Sequence, residues 1–223
     1  MQTGLLHVND AERGSDTLSP LSAATLERIR EAIIIKRNPE TPSQQARPKK
    51  FEELQKDDKI FFGCSRPPKR EPAVPLALLH PVFGRFVDNA KTIVPKSEDY
   101  AIAQTLREEM CGFFVNEDKR RQALIDILRG YDLEIYPGPV GGSRKETDGH
   151  ILIKKHPKLI VEMKNEIASG NAEPSFQAVL YYDTFILQNK LWEDATTCHP
   201  CFVIFLAGES QSLFGYLQIL NQK

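Results

Sequence analysis

Apolar residues recur at helical spacing through the first part of the chain and alternate with a period of two in the last part. Leu26, Ile29, Ile33 and Ile34 form one stripe, which predicts an amphipathic helix over Leu21–Lys36 that starts near Pro20 or Ser22. Asn38–Lys50 holds three prolines among polar residues and reads as a linker. Phe51–Phe62 is half apolar, helix or strand, and Ser65–Pro75 is again Pro-rich and basic. From Leu76 the pattern tightens. Leu76–Ala90 predicts a helix interrupted at Pro81. Tyr100–Phe114 predicts another, with Ala103, Leu106, Met110 and Phe114 on one stripe. A third is expected over Asn116–Arg129, capped by Asn116, carrying Glu117 and Asp118 in its first turn and closed by Gly130.

After Gly130 the period changes from 3.6 to 2. Strands are expected at Leu133–Tyr136, Gly149–Ile153 and Leu159–Met163, the last two joined by a tight turn at Lys155–Lys158. Pro137–Ser143 reads as a mobile loop and Ala168–Asn171 as a turn. Pro174–Gln188 predicts a strong helix, and Cys201–Leu206 and Phe214–Ile219 predict further strands. The expected organisation is a helical N-terminal arm, residues 1–75, and an α/β domain, residues 76–223, around one mixed sheet flanked by helices.

Composition narrows the classes. The 223 residues are 41% hydrophobic and 26% charged, so a packed core is expected, and wholesale disorder or coiled coil is not. Net charge is −1, so any nucleic-acid binding must come from local basic patches. No apolar run approaches the roughly 18–20 residues of a membrane helix, which argues against a membrane partner. Asp10, Glu12, Arg13 and Asp16 occupy the place of an apolar signal-peptide core, so no signal peptide is expected at this N-terminus. Four cysteines are too sparse for a disulfide framework, and the expected compartment is cytosol or nucleus.

The chemistry concentrates in Asp148–Lys164, DGHILIKKHPKLIVEMK. Folded as a hairpin about Lys155 or His156, it sets Asp148 opposite Glu162 or Lys164, and cross-strand partners share a face. Three charged groups then meet at one end of an apolar hairpin, where unpaired charge is costly. Two neighbouring carboxylates can hold a hard divalent cation through oxygen, with water completing the shell. Such a cation makes bound water more acidic and polarises a phosphoryl oxygen. A neighbouring lysine can orient the nucleophile and stabilise developing negative charge. The expected metal donors are Asp148, Glu162 and a backbone carbonyl of Val161 or Met163, the ion being Mg²⁺ or Mn²⁺.

Asp148 followed by Glu162-Met163-Lys164 resembles the PD-(D/E)XK, or restriction-endonuclease-like, nuclease superfamily over about residues 76–220. Thr147 stands where that motif often has proline. The resemblance implies a restriction-endonuclease-like core, in which Asp148, Glu162 and Lys164 are catalytic and a crossover helix adds Gln177, with Tyr181 on the same face. It also implies a glutamate in the first helix, for which Glu117 is the better match and Glu108 the second. LHPVFGRFVDN, VEMKNEIASGNAEPSFQAVLYY and CFVIFLAG further resemble the nuclease-like domain of fungal crinkler-type proteins. That narrower resemblance implies an effector acting in the nucleus (the host nucleus if secreted) or a part of a mobile-element or conflict system. It also implies a downstream kinase-like domain in the full-length protein.

The expected function is therefore metal-dependent hydrolysis of nucleic acid, DNA rather than RNA, with little sequence specificity. Lys154, Lys155, Lys158, Tyr181, Arg66, Lys69 and Arg70 are the candidate nucleic-acid contacts, and a homodimer is left open. The competing reading is a silent nuclease-fold module that binds DNA or docks a protein. Plainer readings stand beside individual residues. Asp148-Gly149 is a turn dipeptide, Glu162 and Lys164 could line an edge strand, and Arg47–Lys50 and Arg66–Arg70 could be solvated linker charge. Cys198 and Cys201 form a CxxC pair without a second ligand pair, which favours idle thiols over zinc. Gly138–Ser143 lacks the Gly-Lys-Ser/Thr ending of a phosphate-binding loop, and Val161–Lys164 lacks the other kinase motifs.

Overall fold

The computed structural model describes residues 40–56, 76–140, 143–165, 172–191, 199–207 and 210–218. Its helices are α1 (Pro42–Gln45), α2 (Pro48–Lys56), α3 (Leu76–Leu79), α4 (Pro81–Thr92), α5 (Ser97–Met110), α6 (Glu117–Arg129) and α7 (Pro174–Gln188). Its strands are β1 (Tyr136–Pro139), β2 (Glu146–Ile153), β3 (His156–Lys164), β4 (His199–Ala207) and β5 (Ser210–Gln218). They form one mixed sheet in the order β1-β2-β3-β4-β5. Every neighbouring pair is antiparallel except β3 and β4, which run parallel. A parallel pair needs a long crossover, and α7 supplies it.

Alternation along β3 sorts the two layers. Val161 and Met163 are buried with Met110 of α5 and with Leu124 and Leu128 of α6. Ile160 is buried on the other face with Ala178, Tyr182 and Phe185 of α7. Each such large side chain contributes about 1.5–3 kcal/mol when fully removed from water. Helix α7 is covered nearly all round, which is why its sequence is apolar beyond one stripe. Its N-terminus is fixed by Glu173, whose carboxylate accepts from the Phe176 N–H at 2.7 Å.

Several boundaries differ from the sequence expectation. The expected linker Asn38–Lys50 contains α1 and the start of α2. Thr41 caps α1, with Gln44 reaching back to the Thr41 N–H at 2.9 Å. Ala46 is buried with Phe176 and Leu180 of α7. The predicted break at Pro81 is real: His80 caps α4 through its Nδ1, which accepts from the Val82 N–H. Gly130 does not close α6 in a left-handed conformation; its φ is −60°, and Asp132 takes φ 60°. The N–H groups of Tyr131 and Leu133 both turn back to the Leu128 carbonyl. Residues 131–133 therefore finish the helix, and the first strand begins at Tyr136 rather than Leu133.

Part of the expected loop Pro137–Ser143 is strand β1, whose prolines are tolerated because it lies at the sheet edge. The β2–β3 turn is Lys154–Lys155, not Lys155–Lys158, and Lys154 adopts φ 59°. Lys158 is absorbed as a bulge between the Ile151↔Leu159 and Leu152↔Pro157 pairs. The expected helix Leu21–Lys36, the turn Ala168–Asn171 and the boundary at residue 75 lie outside the described residues. Among the described residues, no helix is long and apolar enough to cross a membrane.

Candidate active site

A cluster of charged groups forms at the C-terminal end of β3, beside the first turns of α6 and α7. Asp148 reaches it through a break in β2 pairing. Tyr136 faces His150 and Gly138 faces Thr147, so Asp148 and Gly149 together oppose Pro137. A two-for-one bulge re-aims the side chain of the strand that carries it. Here it turns the Asp148 carboxylate onto the end of β3. Its Oδ2 accepts from the Met163 N–H at 2.7 Å, and its Oδ1 lies 3.3 Å from Arg121 Nη1 of α6. The β2–β3 register, extended one step past Gly149↔Val161, sets Asp148 opposite Glu162.

Gly149 is required by close approach rather than by backbone angle. A Cβ at this position would lie 2.3 Å from Ile135 Cγ2, the stiff branch of a buried β-branched residue. Gly149→Ala is expected to cost about 1–3 kcal/mol by overpacking, and Ile135→Ala in the same chain should recover part of it. Urea denaturation of the single and double variants measures this; an unchanged midpoint for Gly149→Ala would refute the steric account.

Glu162 shares the α7-facing side of β3 with Ile160 and is 1% exposed. Burial, reinforced by the charge of Asp148, pushes its carboxyl up to about 8. Lys164 Nζ lies 3.0 Å from Glu162 Oε1 and 3.5 Å from Glu117 Oε2. Burial would lower Lys164, but the adjoining Glu162, with Glu117 and Asp148 behind it, raises it and keeps the ammonium charged. Asp148, Glu162, Lys164 and Glu117 are thus brought together. Glu108, the alternative first-helix glutamate, accepts instead from Gln104 on the exposed side of α5.

Gln177 and Tyr181 face the cluster from α7. Gln177 Nε2 donates to Tyr181 Oη at 3.4 Å, while the buried Gln177 Oε1 has no partner among the described residues. Burial, and then the charge of Glu162, lifts the Tyr181 hydroxyl to about 12. The Tyr181 ring is 6% exposed within the α7 core, so it offers no face for a nucleobase, contrary to the expected nucleic-acid contact. Ser43 of α1 hydrogen-bonds to the same hydroxyl, and the Glu173 N–H donates to the Ala46 carbonyl at 2.8 Å. Residues 41–46 therefore wall this side of the site. The signal was in the sequence: Thr41-Pro42-Ser43-Gln44 has the Ser/Thr-x-x-Glu/Gln pattern, with proline at the first helical position.

Two arginines of α6 also escaped sequence reading. Arg121 bridges Asp118, at 2.8 Å, to Asp148. Arg120 is fully buried; its guanidinium donates to the carbonyls of Asn165 and Met110 and lies 5.2 Å from the centre of the Phe114 ring. It ties α5, α6 and the end of β3 together next to Lys164.

Other candidates lie elsewhere. Lys154 and Lys155 form the hairpin turn, about 20 Å from Asp148 at 3.3 Å per residue, and Lys158 is about 13 Å from Glu162 along β3. The Lys155 ammonium reaches the Asn189 carbonyl at 3.4 Å, at the C-terminal end of α7. These lysines do not border the carboxylates. Arg66, Lys69 and Arg70 lie outside the described residues, as do Cys64 and Cys198. Cys201 is buried, and burial pushes its thiol well up.

The donor set suits a hard cation. Asp148 and Glu162 present carboxylates, and the Met163 carbonyl points to the same strand edge as its N–H, which already meets Asp148. Among the described residues, no group of three or more His, Cys, Asp and Glu side chains is arranged to hold a metal. Two carboxylates and a carbonyl leave most positions to water, which fits Mg²⁺ or Mn²⁺ better than a closed Zn²⁺ site. Compared with protein-family models, curated proteins and solved structures, the chain matches none of them.

Proposed function

We propose that this chain is a metal-dependent nuclease of restriction-endonuclease-like architecture that hydrolyses DNA phosphodiester bonds with little sequence specificity. The observation that carries this reading is a buried glutamate, Glu162, bonded to Lys164 and facing Asp148 at the open end of a strand. Buried carboxylates beside one another are costly, and a divalent cation between them removes that cost. The β2–β3 hairpin, the α7 crossover and the parallel β3–β4 pair support the same core. On the sequence resemblance alone, the proposal extends to a crinkler-type effector acting in a nucleus.

Asp148, Glu162 and the Met163 carbonyl would hold the Mg²⁺ or Mn²⁺. When bound, the ion polarises a phosphoryl oxygen and makes water more acidic. Lys164, held between Glu162 and Glu117, orients the attacking water and stabilises charge developing on the phosphate. Gln177, anchored on Tyr181 through its Nε2, has Oε1 left to accept a hydrogen bond from that water and so help orient it.

One observation favours a second reading. Arg121 beside Asp148 and Lys164 beside Glu162 already balance both carboxylates, as they would in a silent module of the same fold. Plasmid, linear and single-stranded DNA, and RNA, incubated with Mg²⁺, Mn²⁺ or EDTA, distinguish the two. Cleavage of DNA that EDTA stops is expected. Binding without cleavage under every condition would replace the nuclease with the silent module, and neither activity would sink both.

A further inference from the structure

Phe113 and Val115 are 97% and 93% exposed, on either side of a residue that is clamped. Between them, Phe114 is held by its carbonyl, which accepts from Asn165 Nδ2 at 2.7 Å, and by its ring, which lies against the Arg120 guanidinium. Asn165 follows Lys164 directly, and Glu117, two residues after Val115, reaches the Lys164 ammonium. The loop between α5 and α6 is thus fastened to the candidate active site, and an aromatic ring stands out from it into water.

We propose that Phe113 is a stacking platform for an unpaired nucleobase next to the scissile phosphate, with Val115 supporting the same nucleotide. The inference rests on the nuclease reading and adds a preference for single-stranded or frayed nucleic acid. A flat ring with both faces open accepts any base without reading its edge, as sequence-neutral cleavage requires. Two side chains fall far short of the roughly 800 Å² per partner that a stable protein interface buries. The exposed apolar residues at the start of α5 do not extend this surface. Ile93, Val94 and Tyr100 lie at the opposite end of α5, about 20 Å away at 1.5 Å per residue. Fastening also matters: a ring on a held loop loses little freedom on stacking, so more of the contact appears as affinity.

The test uses short oligonucleotides carrying 2-aminopurine, single-stranded or within a closed duplex, with Ca²⁺ in place of Mg²⁺. Wild type should bind the single strand more tightly and change the 2-aminopurine fluorescence. Phe113→Ala should lose that signal and about 5- to 150-fold in single-strand affinity, the range for one stacked base. Phe113→Leu, which keeps apolar area without the ring, should behave like Phe113→Ala, and Phe113→Trp should behave like wild type. Melting temperatures should agree, because this side chain is almost fully exposed. Wild-type binding and fluorescence in Phe113→Ala would overturn the platform and leave the nuclease reading standing. So would a leucine variant that binds like wild type, or an equal loss on the closed duplex. If wild type binds no oligonucleotide, the nuclease reading falls and takes the platform with it.

Discussion

Lys164→Ala is expected to slow Mg²⁺-dependent DNA cleavage by roughly 10²–10³-fold, the usual cost of one preorganised electrostatic group. Its ammonium lies 3.0 Å from Glu162 and 3.5 Å from Glu117, so its position is set from both sides before substrate arrives. The variant keeps Asp148, Glu162 and the Met163 carbonyl, so saturating Mg²⁺ should still bind. Glu162→Gln should differ in kind. It retains the shape of the side chain but removes one of two anionic donors, so both metal binding and cleavage should be lost. Single-turnover rates at saturating Mg²⁺, with Mn²⁺ binding by calorimetry, separate the effects. A Lys164→Ala variant that cuts at the wild-type rate would show that the cleavage does not arise from this cluster.

Residues one strand apart were legible because β-pairing is a local rule. The motif residues in the Asp148–Lys164 hairpin need only a period of two and a short turn, and the structure brings Asp148 to Glu162 and Lys164 although the turn falls one residue earlier than expected. The helices of the core were legible from their stripes and caps, such as Asn116, which accepts from the Lys119 N–H. Contacts set by tertiary packing were not. Nothing in the sequence says that Arg120 will be buried under Phe114, or that Arg121 will lie beside Asp148. The Asp148–Gly149 bulge depends on where β1 starts, and that depends on how Tyr131–Leu133 finish α6. Prolines misled twice. Pro42 and Pro48 sit at helix starts and the prolines of β1 at a sheet edge, two settings that tolerate a missing N–H.

Without divalent cations, the protein is expected to lose stability as pH rises from about 5 to 8, and Glu162→Gln should abolish that loss. The sign follows from Glu162, whose carboxyl is raised from 4.5 in the unfolded chain to about 8 in the fold, by burial and then by Asp148. Between those values the folded state holds a proton that the unfolded state has released, so raising the pH favours unfolding. The slope is about 1.4 kcal/mol per pH unit, with roughly 5 kcal/mol over the window as an upper bound. For a chain of this size that is a few °C of melting temperature per pH unit. His150 acts in the opposite sense, since burial lowers it and makes the fold gain stability up to its unfolded value of 6.5. Lys164, raised above 10.5, titrates outside the window. The difference between wild type and Glu162→Gln therefore isolates the glutamate. Adding Mg²⁺ should reverse the trend for wild type alone, because the ion displaces the proton from Glu162 and its stabilisation grows with pH. Melting curves at pH 5, 6, 7 and 8, with Mg²⁺ and with EDTA, test this. Parallel pH profiles for wild type and Glu162→Gln in EDTA would mean that Glu162 is ionised in the fold, as a fully paired structural anion would be.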